Sequence, residues 1–442
     1  MQCLKRRGFF HHAAVIAVFA FSLIVFTGFA AGTATVQAAT HTVTNTNDSG
    51  SGSLRQAVAD AASGDVITFA LDYPATITLT EVIPISKDLT IQGPDSGHLT
   101  VSGGDNCRVF EVSSASNISN LTIANGYDDD KGGGMYTNES SVTVRGCTFL
   151  NNAAEDVGGT PDGGGVYNDE GSPTFINCTF TDNTASDSGG GMYNYNSNVT
   201  VTNCTFTGNT AARFGCAMYT FAVDTSPTVT NCIFWGNKVG DTKEIDGEES
   251  SFTYCVISDD LDGYGEHNIN TDPLLQDLAD NGGPTNTCAL GLDSSAIDAG
   301  ETVAVSDDQR GVSRPQKDGF DIGAYELGYY EISVSAIDLG DVTYQGREVD
   351  GESVYVYEGQ NAEFKMIPGS GFQVDKVEVD GERVSYETAN NTYTFENVSG
   401  DHSLFVEFGE ERSLLGGCNA SAFPGIALLL ATPLAFLLRK KK

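Results

Sequence analysis

Cations are scarce in this chain. Against 59 Asp and Glu stand only 23 Lys and Arg, giving a formal net charge of −36. Removing Lys5, Arg6 and Arg7 with an N-terminal leader takes away three positive charges and leaves −39. Such a field repels polyanions, which excludes nucleic acid and anionic lipid surfaces as partners. The sequence also lacks a Cys-x-x-Cys pair, and His41, His98, His267 and His402 are scattered without metal-ligand spacing. No zinc site is therefore expected. The aspartates of loops such as Asp128–Asp130 have no fixed calcium-ligand spacing and read as solvated turns. No nucleophile motif appears, so no catalytic residue, metal or cofactor is expected.

A helical rhythm is missing too. In its place, one phrase is written four times between Gly132 and Asn237: GGGMYTNESSVTVRGCTFLNN, GGGVYNDEGSPTFINCTFTDN, GGGMYNYNSNVTVTNCTFTGN and a worn GCAMYTFAVDTSPTVTNCIFWGN. The later copies begin 26 residues apart, at Gly163, Gly189 and Gly215; the first interval is 31, with the surplus in Glu155–Asp162. A fixed period of this length means stacked units that cannot bury their apolar faces alone.

Within the third copy, Val199 and Val201 share one face of a strand. Cys204 and Phe206 share a face of opposite parity, so the chain must bend between the two pairs if both are buried. Gly146, Asn177, Asn203 and Asn231 stand just before the cysteines. Glycine and asparagine best tolerate the left-handed backbone of a tight corner. A second corner is expected at Asn152, Asn183, Asn209 and Asn237. Three short strands per coil, bent at fixed places, describe a parallel β-helix.

The GGGMY or GGGVY phrase followed by Phe-x-x-Asn (Phe149–Asn152, Phe180–Asn183, Phe206–Asn209, Phe234–Asn237) resembles the GGA(I/L/V) and FxxN repeats of polymorphic outer-membrane proteins. That resemblance implies a right-handed β-helical bacterial surface protein, several of whose relatives are adhesins. Cys147, Cys178, Cys204 and Cys232 occupy one column of the repeat. Coils about 4.8 Å apart would stack them into an internal ladder. Packing as small apolar thiols is the favoured reading; disulfides between adjacent coils in an oxidising compartment are the alternative.

The flanking segments complete the plan. Residues 1–38 have a basic start, an apolar run and a small-residue end, the pattern of a signal peptide, with an uncleaved anchor as rival. Residues 39–75 resemble the N-terminal cap of bacterial β-helix proteins, with Ser53-Leu54-Arg55 opening a short helix and Arg55 as a capping hydrogen-bonder. A cap is needed because an exposed coil is a sticky edge. The β-helix is assigned 76–328. Its last part, 268–326, resembles the choice-of-anchor segment found ahead of sorting signals, through Asp308-Gln309-Arg310-Gly311, Arg314-Pro315 and Asp321-Ile322-Gly323-Ala324-Tyr325-Glu326. Asp298, Arg310, Arg314, Asp321 and Glu326 are read there as paired structural ions in the final coils.

Residues 329–410 alternate over longer runs and resemble a small β-sandwich-like surface repeat, expected to act as a spacer. In 411–442 an apolar stretch, Ala422–Leu438, precedes Arg439–Lys442. This reads as a transmembrane anchor. With Gly416, Gly417 and Cys418 it also resembles a Synergistetes-type Gly-Gly-Cys sorting signal, which implies a sorting protease and lipidation at Cys418.

The fold expected is thus all-β: a right-handed parallel β-helix followed by a small sandwich, with a signal at one end and a transmembrane helix at the other. The function expected is non-enzymatic adhesion or ligand binding at the outer surface of a Gram-negative cell. Its partners would be the membrane and a host-cell, neighbouring-cell or glycan ligand. A polysaccharide lyase or hydrolase of the same fold and a purely structural envelope protein are the alternatives, since fold alone does not set function.

Overall fold

A computed structural model describes residues 38–410 apart from 157–158, 222–224, 239–241, 248–249, 262, 317–318 and 338. Residues 1–37 and 411–442, on which the expected signal peptide, transmembrane anchor and sorting signal (Gly416, Gly417 and Cys418) fall, lie outside the described residues. Among the described residues no helix is long and apolar enough to cross a membrane.

The repeat winds as a parallel β-helix. Strands from successive coils pair in parallel into a nine-stranded sheet (sheet 1), an eight-stranded sheet (sheet 2) and a seven-stranded sheet (sheet 3). In the third copy these strands are Thr200–Thr202, Thr205–Thr207 and Met192–Tyr195. The middle coils carry a fourth, two-residue strand such as Thr210–Ala211, forming a further four-stranded sheet. In these middle coils the three-strand coil expected from the sequence becomes a four-strand coil, because the residues after Asn152, Asn183 and Asn209 pair as well.

The parity argument holds at the first corner. Val199, Val201, Cys204 and Phe206 are all buried, and the chain turns at Asn203 with φ of 51°. Gly146, Asn177 and Asn231 repeat that left-handed turn, at 61°, 51° and 54°. The second corner differs from expectation. Its left-handed residues are Asn151, Asp182, Gly208 and Gly236, one position before the closing asparagines. Those asparagines instead point their amides inward.

Like residues then sit over like. Phe149, Phe180, Phe206 and Phe234 stack with centroids 4.7, 4.3 and 4.8 Å apart, which fills the core of sheet 2 with aligned rings. The ends are closed by side chains. At the start, Ser53 caps the helix Leu54–Asp60 by accepting from the Gln56 N–H, and Arg55 donates to the carbonyls of Glu81 and Val82 at 2.6 and 2.8 Å. At the far end, Asp259 accepts from the N–H of Glu244 and Ile245, while the Tyr264 hydroxyl donates to the Ile245 carbonyl at 2.8 Å. These contacts occupy edge groups that would otherwise template another strand.

Residues 268–326 do not continue the coils, contrary to expectation. The last coil strand is Val256–Ile257, bridged to Ile269. The chain then makes an antiparallel hairpin, Leu275–Ala279 with Thr287–Leu290, and folds back along the outside of sheet 2 as a clasp. The repeated phrase ends at Asn237, and with it the sequence register that sets one coil on the next.

Residues 329–410 form two sheets around their own core. One has five strands, with Tyr329–Ile337 parallel to His402–Glu410; the other has four, all antiparallel. Ile332, Val342, Phe364, Val377 and Leu404 are buried between them. Tyr329 pairs with Tyr357 at one end, and Glu410 pairs with Phe372 at the other. The chain thus enters and leaves this domain at opposite ends.

Candidate functional site

The columns singled out from the sequence are interior. Cys147, Cys178, Cys204 and Cys232 are fully buried free thiols, and Cys255 extends the column by one coil. The N–H of Cys178, Cys204 and Cys232 each points at the next sulfur, 3.4 Å away. Burial pushes the four thiols named first well above the ordinary range, which keeps them protonated and unreactive.

Asn152, Asn183, Asn209 and Asn237 form a buried amide ladder. Each Nδ2 donates to the next Oδ1, at 2.9, 2.8 and 2.7 Å. The ladder ends on Glu244, which accepts from Asn237 Nδ2 at 2.5 Å and from the Ser258 hydroxyl at 2.5 Å. Burial raises the Glu244 carboxyl above its usual range. These residues are buried and satisfied, so none is available to a ligand.

Asp298, Arg310, Arg314, Asp321 and Glu326 come together in the clasp rather than in a coil. Arg314 Nη1 meets Glu326 Oε2 at 2.9 Å and donates to the Asp321 carbonyl at 2.6 Å. Asp321 Oδ1 accepts from the Asp298 N–H at 2.8 Å. Asp308 joins them, holding Arg310 Nε at 2.9 Å, and Arg310 stacks 3.7 Å from the Tyr325 ring centroid. From the sandwich domain, Glu358 reaches Arg310 at 3.2 Å and accepts from the Tyr325 hydroxyl at 3.1 Å. Burial pushes Asp321 and Glu326 upward and Arg314 downward. With side chains 0% and 1% exposed, the Arg314–Glu326 pair faces no cleft and locks the clasp.

What remains open is the outside of the solenoid. The middle of sheet 2 is covered: the outward hydroxyls of Thr148, Thr179 and Thr205 are buried beneath the clasp, while Thr76 and Thr78 at its start stay exposed. Sheet 3 carries an outward tyrosine column, Tyr136, Tyr167, Tyr193 and Tyr219, at centroid separations of 5.9, 4.7 and 5.2 Å. The close central pair stacks face to face at 13°, so those faces are spent on each other. Beside it lies the one carboxylate group that invites a chemical reading. Burial, and then the charge of Asp187, pushes Asp162 up to about 7. Asp187 is paired with Arg213 at 3.0 Å, and Lys131 with Asp169 at 3.1 Å. Among the described residues no group of three or more His, Cys, Asp or Glu could hold a metal ion.

Sheet 1 is different. Its outward positions, two per strand over nine strands, fall in two columns running the length of the helix. The face begins Thr40-x-Thr42 and passes Thr68, Thr90 and Thr143. It ends Thr200-x-Thr202, Thr228-x-Thr230 and Ser251-x-Thr253, all exposed or half-buried. None of these positions is a carboxylate or an aromatic, although 59 residues of the chain are acidic. The single charge, Arg145, is paired with Asp307 of the clasp. Threonine suits a strand because it is β-branched, but β-propensity alone does not remove every carboxylate from the longest open face of so acidic a molecule.

The sequence reading did not single out this face, the tyrosine column, Gln309 or Glu244. The signal for the first two was present: a threonine opens the Thr143, Thr174, Thr200 and Thr228 strands and a tyrosine recurs at Tyr136, Tyr167, Tyr193 and Tyr219, once per copy, and the period-2 rule puts Thr and Tyr outside.

Residues 88–260 match the family described as "Right handed beta helix region". Among solved structures, a pectate lyase, Pel9A, is similar at 14% identity and a TM-score of 0.34, over 65% of this chain and 97% of that one. No protein with a curated description matches.

Proposed function

We propose that this chain is an exported, surface-anchored β-helix protein that binds a ligand rather than transforming it. The observation that carries this reading is the outer face of sheet 1. It is an open face about 40 Å long at ~4.8 Å per strand, touched by the clasp at Arg145 and bare of the acid–base pairs that catalysis needs. The sandwich supports the same reading as a spacer, since the chain enters it beside the clasp and leaves it from the opposite end, ahead of the apolar tail. Elsewhere the buried groups are taken up within the fold: Arg314 is paired with Glu326, and the asparagines of the amide ladder with one another.

A second reading, a carbohydrate-active enzyme, draws on one observation, the raised Asp162 beside Asp187 and Arg213. One experiment separates the two. The full chain is incubated with acidic and neutral polysaccharides, and products are sized. Ligand retention without chain shortening is expected; shortened chains or new unsaturated ends would overturn the binding assignment. Surface proteolysis of intact cells, with mass analysis of the mature C-terminus, tests display and processing near Cys418 together. A purely structural envelope role would be indicated if gene deletion weakened the envelope and left attachment unchanged.

A further inference from the structure

We infer that the threonine face of sheet 1 takes a neutral polysaccharide chain, laid along the solenoid axis and held by repeated hydroxyl contacts. This rests on the binding reading above and names its ligand class. The argument is one of charge, chemistry and repeat.

A chain of net charge −36 repels polyanions over its whole surface, so uronate polymers and nucleic acids are disfavoured. The face itself has no carboxylate to attract a cationic peptide, and its one arginine is already paired. An uncharged partner meets neither penalty. Each threonine offers one donor and two acceptor lone pairs beside a methyl group. The partner that answers such a surface is itself dense in hydroxyls and C–H groups, as a neutral glycan is.

The columns repeat at ~4.8 Å along the axis and about 6.6 Å across it. A polymer of regularly repeating sugars can therefore make the same contact at coil after coil. With no aromatic ring for a sugar to stack on, each contact is weak. Binding must come from their number, so affinity depends on ligand length. At the C-terminal end of the face, Thr200, Thr202, Thr228, Thr230 and Thr253 form the densest patch, with the Thr230 and Thr253 hydroxyls 3.2 Å apart.

The test uses the full chain in neutral detergent, titrated with neutral β-glucan oligomers from the disaccharide to roughly an octamer. Polygalacturonate serves as the polyanionic control. Affinity is expected to rise at least tenfold along the series and to change less than twofold between 0.05 and 0.5 M salt, as an uncharged contact should. A variant carrying Thr200→Val, Thr202→Val, Thr228→Val and Thr230→Val keeps β-branching and shape but loses four hydroxyls. It should lose at least tenfold in affinity for the longest oligomer at unchanged melting temperature. A second variant, Thr228→Lys, places a bulky cation on the face and should weaken neutral-glycan binding as well. The inference is overturned if no neutral oligomer binds, if length has no effect, if polygalacturonate binds as well, or if the four-valine variant binds like the parent. A change in oligomeric state without a change in glycan affinity would assign the face to a second copy of the chain and overturn it too. Product sizing in the same samples keeps the outcomes distinct: shortened oligomers would sink the non-catalytic reading, whereas intact but unbound oligomers would sink only the choice of ligand.

Discussion

The Thr179 hydroxyl donates to Gln309 Oε1 at 2.7 Å, across 130 residues of chain. Gln309 Nε2 donates in turn to the hydroxyls of Thr148 and Thr285, at 2.8 and 2.9 Å. One buried amide thus fastens the clasp to two successive coils.

Removing that amide should loosen the clasp before the solenoid. Gln309→Leu leaves the buried Thr179 hydroxyl without its acceptor, while the Thr148 and Thr285 hydroxyls lose a donor but still donate to the carbonyls of Asn286 and Gly146. A loss of about 1–3 kcal/mol is expected in urea unfolding, with faster proteolysis within 280–328 than within the coils. Equal protection of both regions would show that the clasp is held by its ion pairs alone.

The amide ladder makes a second prediction. Asn209→Ala removes one acceptor from Asn183 and one donor from Asn237, in a fully buried row. The Asn183 backbone N–H loses its side-chain acceptor, while Asn183 Nδ2 keeps the Phe149 carbonyl and Asn237 Oδ1 keeps the backbone N–H of residue 209, so the cost should be about 1–3 kcal/mol. Glu244→Gln should be far milder. Its carbonyl can still accept from Asn237, and its amide can donate to the Ser258 oxygen. Denaturant midpoints of the two variants, compared by circular dichroism, decide the point.

Thiol labelling distinguishes ladder from disulfide. The buried column thiols are held protonated by burial, so Cys147, Cys178, Cys204 and Cys232 should resist iodoacetamide in the native protein and react once it is unfolded. Cys107, half-buried, should be the first of the described cysteines to label. Recovery of adjacent column cysteines as linked peptides after unfolding without reductant would contradict the free-thiol ladder.

Stability should peak in mild acid. Asp162 is pushed up to about 7 by burial and by Asp187, so the folded state holds that proton longer than the unfolded chain does. Stability from such a group is full below the unfolded carboxyl value and is lost as pH rises toward 7. Asp65 works in the opposite sense. Backbone N–H groups of Ala62 and Ala39 hold it down at about 2, so its contribution is present above the ordinary carboxyl range and fades as pH falls toward 2. Melting temperatures are therefore expected to be highest near pH 4–5 and lower at pH 3 and pH 8. A maximum at pH 8 would refute the assignment for Asp162.

How much of this was legible in advance follows from the length scale of each interaction. The period, the inward parity of Val201 and Phe206, and the left-handed corners at Gly146, Asn177, Asn203 and Asn231 are local. They follow from side-chain alternation and from which residues tolerate positive φ. Stacking of identical coils then follows, because a coil cannot bury its apolar face alone. The sequence by itself therefore determined the solenoid, its interior columns and the acidity that turns polyanions away.

The tertiary structure alone decided which outer face stays open. Nothing in the spacing of Gln309 announces that it will meet Thr148 and Thr179, or that Arg310 will meet Glu358 of the next domain. Those contacts join residues separated by tens to more than a hundred positions, in a segment with no repeat to set its register. The clasp settles over the middle of sheet 2 and covers Thr148, Thr179 and Thr205, while the threonine-rich surface of sheet 1 is left exposed or half-buried. Outward residues carry no buried-face pattern, so only the path of the returning chain separates a covered face from a binding one.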